Sequence, residues 1–70
     1  MDEIITLRED HIKLGQALKV CNAVSSGAES KIVINEGLVS VNGEVCTMRG
    51  KKLYDGDIVD FEEYHIIIKK

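Results

Sequence analysis

Residues 26 to 43, SGAESKIVINEGLVSVNG, permit few local structures. Ser26 is placed to N-cap a helix, and Glu29, three residues later, completes a capping box. Gly37 suits the left-handed residue that ends such a helix. Leu38, Val39 and Val41 then favour strand. Asn42-Gly43 is a strong hairpin signal, because both central residues of that turn need positive φ. The stretch predicts a helix, a tight exit and a hairpin in direct succession.

The segments on either side have to pack against this unit. Glu3 to Arg8 (EIITLR) is β-branched and predicts a first strand, suited to a sheet edge. Asp10 offers an N-cap, and His11 to Cys21 reads as a helix in which Leu14, Ala17, Leu18 and Cys21 form one apolar stripe. Gly15 costs that helix about 1 kcal/mol relative to Ala. The helix therefore either leans on tertiary packing or begins near Leu14. Asn22 suits its exit. The next helix, about Gly27 to Glu36, sets Ser30, Val33 and Ile34 on one side and Gly27, Lys31 and Asn35 on the other. So short a connector makes the two helices a corner or a hairpin.

Beyond the hairpin (Leu38–Val41 and Glu44–Cys46), Thr47 to Lys52 is a loop with three bases around Gly50. Tyr54-Asp55-Gly56-Asp57 is a turn. Ile58, Val59 and Phe61 predict a strand, and Tyr64 to Ile68 another. The run HIII within that last strand breaks the in–out alternation of a half-buried strand. It implies burial on both faces or pairing with the N-terminal strand.

Seventy residues form one domain, 1–70, with one Phe, two Tyr and no Trp, so the core is aliphatic. No apolar run approaches the roughly 20 residues of a membrane span, and the acidic N-terminus does not suit a signal peptide. A cytoplasmic protein is expected. Cys21 and Cys46 have no CxxC or Cys/His company, so they read as small half-buried thiols; a disulfide between them does not follow from the sequence.

No catalytic constellation, cofactor fingerprint or metal set is present. Ser25 and Ser26 have no neighbouring base, His11 and His65 lack ligand spacing, and the acids of 55–63 fit a turn and a solvated face. Charge is more informative. The net charge is −3, yet from His11 to Lys52 six bases (Lys13, Lys19, Lys31, Arg49, Lys51, Lys52) face three acids (Glu29, Glu36, Glu44). The bases occupy the middle of the chain and the acids its ends. Lys13, Lys31 and the Arg49–Lys52 loop are candidates for one anion-binding surface. The helix start at Ser26 and Gly27 offers free N–H groups to a phosphate. On spacing alone, a solvated face explains the same bases.

The stretch VSSGAESKIVINEGLVSVNG, continuing to RGKKLYDGDIVDF, resembles the S-four type RNA-binding domain, especially its small stand-alone YaaA/YbcJ-like branch. The matching residues are Lys13-Leu14, Ser26, Lys31, Ile34, Gly37, Val41-Asn42-Gly43, Arg49 to Tyr54 and Gly56 to Val59. The resemblance spans about Ile12 to Phe61. It implies an α+β fold in which a helix–loop–helix motif packs on a small antiparallel sheet of four or five short strands. It also implies structured RNA, often ribosomal, bound across the two helices and the basic loop. Carried over residue by residue, it gives Lys13, Ser26, Lys31, Arg49, Lys51 and Lys52; Ser25 and Gly27 join them by position at the helix start. The chain departs from the family at Gly27, where many members carry Arg, and at Asn35, where a base is common. Gly15 replaces a frequent Asp, and Ser30 a small Ala.

The expected function is non-catalytic binding of structured RNA by phosphate and shape contacts, without cofactor, metal or membrane, by a monomer. A protein-interaction module on the same scaffold is the first alternative, and an accessory or targeting domain the second. Clustering of the bases favours RNA; scattering favours a protein partner.

Overall fold

The sheet is ordered by its C-terminal strands. A computed structural model describes residues 2–70; residue 1 of the expected 1–70 domain lies outside the described residues. Strand β6 (Ile58–Phe61) turns back into β7 (Tyr64–Lys69) through Glu62-Glu63. On one side β6 pairs with β3 (Val39–Val41), which forms the hairpin with β4 (Glu44–Val45). On the other side β7 pairs with β1 (Asp2–Thr6), giving the order β1-β7-β6-β3-β4. A second, two-stranded sheet joins β2 (Ile12–Lys13) to β5 (Lys52–Leu53). The helices α1 (Leu14–Val20) and α2 (Gly27–Asn35) cover one face of the main sheet.

The α+β class is as the sequence predicts. The sheet is mixed, however, because β1 and β7 run parallel. Parallel neighbours need a long crossover, and nearly the whole domain serves as one here. The HIII run is explained by this pairing: Ile66 and Ile68 are fully buried, while Ile67 points to the opposite face, level with Ile4 of β1.

Helix α1 is shorter than the expected His11–Cys21 and begins at Leu14, the later of the two starts the sequence allows. Asp10 does not cap it; its carboxylate instead holds the His11 ring at 2.9 Å. Residues 12 and 13 leave the helical pattern to pair with Leu53 and Lys52. Leu14, Ala17 and Leu18 then enter the core at 0% exposure, against Ile34, Leu53, Ile66 and Ile68. Asn22, with φ 62°, ends the helix: its N–H donates to Lys19 O at 3.1 Å and that of Ala23 to Leu18 O at 3.0 Å.

Helix α2 follows its sequence signals closely. The Ser26 hydroxyl accepts from Glu29 N–H at 3.1 Å. At the other end Gly37 has φ 76°, with Gly37 N–H on Ile34 O and Leu38 N–H on Val33 O, both at 3.1 Å. Those two bonds satisfy carbonyls that the helix end leaves open. The Asn42-Gly43 turn has φ of 53° and 86°. Asn42 also ties the hairpin to β6, since its amide donates to Asp57 at 3.0 Å and accepts from Ile58 N–H at 2.9 Å.

Candidate nucleic-acid interface

The start of α1 is capped by the basic loop instead of by a side chain. Lys13 at the N-cap has an extended backbone (φ −79°, ψ 148°) and gives no side-chain cap. Leu14 N–H donates to Lys51 O at 2.9 Å, and Gly15 N–H to Arg49 O at 3.1 Å. The loop itself is closed by Lys51 N–H on Met48 O at 3.1 Å. Two N–H groups that a helix start leaves unsatisfied are thereby met by loop carbonyls. The backbone of the loop is held while its side chains point to solvent.

Cross-strand pairing completes the cluster. Lys13 lies opposite Lys52 in the β2–β5 ladder, and Ile12 opposite the fully buried Leu53. Like charges directly opposite each other on a sheet are destabilising. Lys13, Lys31, Arg49, Lys51 and Lys52 are all exposed, and none forms an ion pair with a described carboxylate. Repulsion is thus built in at Lys13 and Lys52, with no described carboxylate in ion-pair contact with either.

Helix α2 joins this junction through Ser30. Ser30 is buried, and its hydroxyl donates to Gly15 O at 3.1 Å. A Cβ on Gly15 would stand 3.0 Å from Ser30 Oγ and 3.5 Å from Arg49 Cβ. The absence of a side chain at 15 lets the second helix and the basic loop close on the first. Gly15 and Ser30 therefore meet in space. Lys31 follows Ser30 directly. Lys19 sits in the last turn of α1, at the opposite end from the loop.

The start of α2 is less open to an anion than its sequence implies. The Glu29 carboxylate does not close the capping box on Ser26 N–H. It accepts from Ser25, one residue earlier, through the backbone N–H at 2.6 Å and the hydroxyl at 3.0 Å. Ser25 thus already serves an internal carboxylate, and a phosphate would have to displace it. Gly27 keeps open space where a side chain would stand.

These bonds from Ser25, backbone first and hydroxyl second, hold the Glu29 carboxyl below its ordinary value. A depressed acid stabilises the fold above its unfolded pKa and loses that contribution as pH falls through its folded pKa. Acidification below the ordinary glutamate range should therefore loosen the start of α2 before the core opens. Amide exchange of Ser25 and Gly27 checks this. Glu29→Gln should remove the pH dependence, and an unchanged acid response in that variant would contradict it.

Neither thiol joins the site. Cys21 and Cys46 are free and half-buried, and burial pushes the Cys21 thiol up. Among the described residues no group of three or more His, Cys, Asp or Glu could hold a metal, and no helix is long and apolar enough to cross a membrane. The cross-strand Lys13–Lys52 pair and the loop-carbonyl cap were not readable in the sequence. Their only signal there was the mirrored order of Ile12-Lys13, apolar then basic, and Lys52-Leu53, basic then apolar.

Comparison with known proteins agrees with this architecture. The family model of the S4 domain matches residues 5–69. The "Probable ribosome maturation protein RlbA" of Bacillus subtilis (strain 168) is 40% identical over 60 residues, covering 86% of this chain and 84% of that protein. The "Putative RNA-binding protein YbcJ" of Escherichia coli (strain K12) is 36% identical over 59 residues, 84% of each chain. The match runs through both helices, the basic loop and all of the main sheet but the first three residues of β1, and on that extent the chain belongs to the S4 domain family.

Proposed function

We propose that the protein binds structured RNA, without catalysing a reaction, through Lys13, Arg49, Lys51 and Lys52 at the start of α1 and Lys31 on α2. One observation carries this reading. Four cations from segments almost 40 positions apart are fixed side by side through their backbones, with no described carboxylate paired to them. Phosphates are the ligands that such a cluster lacks, and neutralising them releases counterions from the nucleic acid. A phosphate between Lys13 and Lys52 replaces their repulsion with two attractions. Ser26 and Gly27 border the surface, with Gly27 leaving room for a backbone to approach.

Recognition by shape and phosphate accords with the side chains available. The surface is mainly cationic, with the exposed Tyr54, its ring 6.0 Å from that of His11, beside the β2–β5 ladder, and A-form RNA is read mostly through its backbone and 2′-hydroxyls. Ribosomal RNA is the substrate class favoured by the names of the relatives, one a ribosome maturation protein and the other RNA-binding. A cytoplasmic site of action accords with that substrate. The test is binding to a fragmented ribosomal RNA pool at two salt concentrations. The variant with Arg49, Lys51 and Lys52 all changed to Ala serves as the control. Salt-sensitive binding that is lost in the variant supports the reading; binding that the variant retains contradicts it.

A further inference from the structure

The helices cover one face of the five-stranded sheet, and no described helix or strand covers the other. Register fixes which side chains stand on that outer face. Ile4, Ile67 and Ile58 are direct cross-strand partners and form one row over β1, β7 and β6. Ile4 is 63% exposed, and Ile58 and Ile67 are half-buried. Solvent-facing positions of such a sheet are ordinarily polar, so three aligned isoleucines need an explanation that the cationic surface does not supply.

The rows beside them differ in charge. On one side Asp2, His65 and Asp60 are cross-strand partners, with His65 Nδ1 2.6 Å from Asp60 Oδ1. On the other side stand Thr6 and Lys69, also partners. Successive outward residues of a strand are about 7 Å apart. Over β1, β7 and β6 the face therefore reads acidic, apolar, basic in three equally spaced rows, and the acidic row runs on through Ser40 to the exposed Val45.

That order is complementary to itself. A two-fold axis lying along the isoleucine row exchanges the outer rows and keeps the strands in place. Ile4, Ile67 and Ile58 then meet their own copies. Lys69 of each copy comes over His65 of the other, with Asp2 and Asp60 on adjacent strands about 4.8 Å to either side. The strands stay near alignment, as in face-to-face sheet packing. We infer that the outer sheet face is a self-association surface, on which a second copy of this chain docks about a two-fold axis along Ile4, Ile67 and Ile58. The inference is independent of the RNA reading and departs from the monomer expected from sequence.

Size sets the strength. The domain measures 28 × 21 × 20 Å, so one face offers roughly 600 Å² at most, less than the about 800 Å² per partner of a stable interface. The dimer should be weak, with a dissociation constant on the order of 0.1–1 mM.

Sedimentation equilibrium of the full chain from about 10 μM to about 2 mM, a span that brackets this constant, tests the inference. The expected result is a concentration-dependent dimer. Ile4→Lys, at an exposed position that leaves the core intact, should abolish it. Lys69→Glu should weaken it by roughly tenfold or more, since like charges across an interface are penalised. Adding Asp60→Lys to Lys69→Glu should restore part of the loss. Amide spectra confirm that each variant is folded. A chain that stays monomeric throughout overturns the inference and leaves the face to a different protein. A dimer insensitive to both Ile4→Lys and Lys69→Glu overturns it as well, by locating the contact elsewhere.

Discussion

Changing Arg49, Lys51 and Lys52 together to Ala should remove most of the salt dependence of RNA binding. Five phosphate contacts (Lys13, Lys31, Arg49, Lys51, Lys52) at about −0.7 each predict a slope of log affinity against log salt near −3.5. Between about 50 and 200 mM salt this is a loss of roughly a hundredfold. With only Lys13 and Lys31 left the slope falls to about −1.4, and the same change of salt costs only about sevenfold. The three side chains are exposed and make no described ion pair, so the variant should keep its fold. Lys31→Glu should weaken all RNAs alike, because a phosphate contact carries no sequence information. Unchanged binding by Lys31→Glu would remove α2 from the surface.

Leu53→Ala should cost about 2–5 kcal/mol, the usual range for emptying a buried leucine site. Leu53 is fully buried and is the residue through which β5, and with it the basic loop, is anchored in the core. A domain of this size has on the order of 4–10 kcal/mol of stability in total. The substitution therefore removes a large share of it and shifts the urea midpoint strongly downward. Its neighbour offers the contrast: Lys52→Ala, on the exposed side of the same two-residue strand, should change stability by no more than about 0.5 kcal/mol. It relieves the repulsion with Lys13 and lowers RNA affinity. A mild effect of Leu53→Ala would mean that the loop is not held by the core.

The sequence was most informative where signals are local. Ser26, Gly37 and Asn42-Gly43 each act on bonds within a few residues, and each does in the structure what its chemistry implies. It was least informative where partners are distant. Ile12-Lys13 precedes the apolar stripe of α1 with no local signal for strand, and only Lys52-Leu53, far along the chain, pulls it into one. Parallel pairing of β1 with β7 joins the two ends of the domain and leaves no local trace beyond the HIII run. The cation types were legible in the sequence, but their convergence was not. It depends on Arg49 and Lys51 carbonyls capping α1, and any residue could have supplied those carbonyls. The spacing of Ser26 and Glu29 predicts a capping box, yet the reach of Glu29 to Ser25 depends on a backbone path that composition does not encode.

Amide shift mapping by NMR, with a ribosomal RNA fragment titrated into the labelled protein, tests the central claim most directly. The account predicts shifts concentrated at residues 13–15, 27–31 and 49–52, fading as salt is raised, with Ile4, Ile58 and Ile67 on the outer sheet face unmoved. Shifts centred on that outer face, or RNA binding that leaves 49–52 untouched, would contradict it.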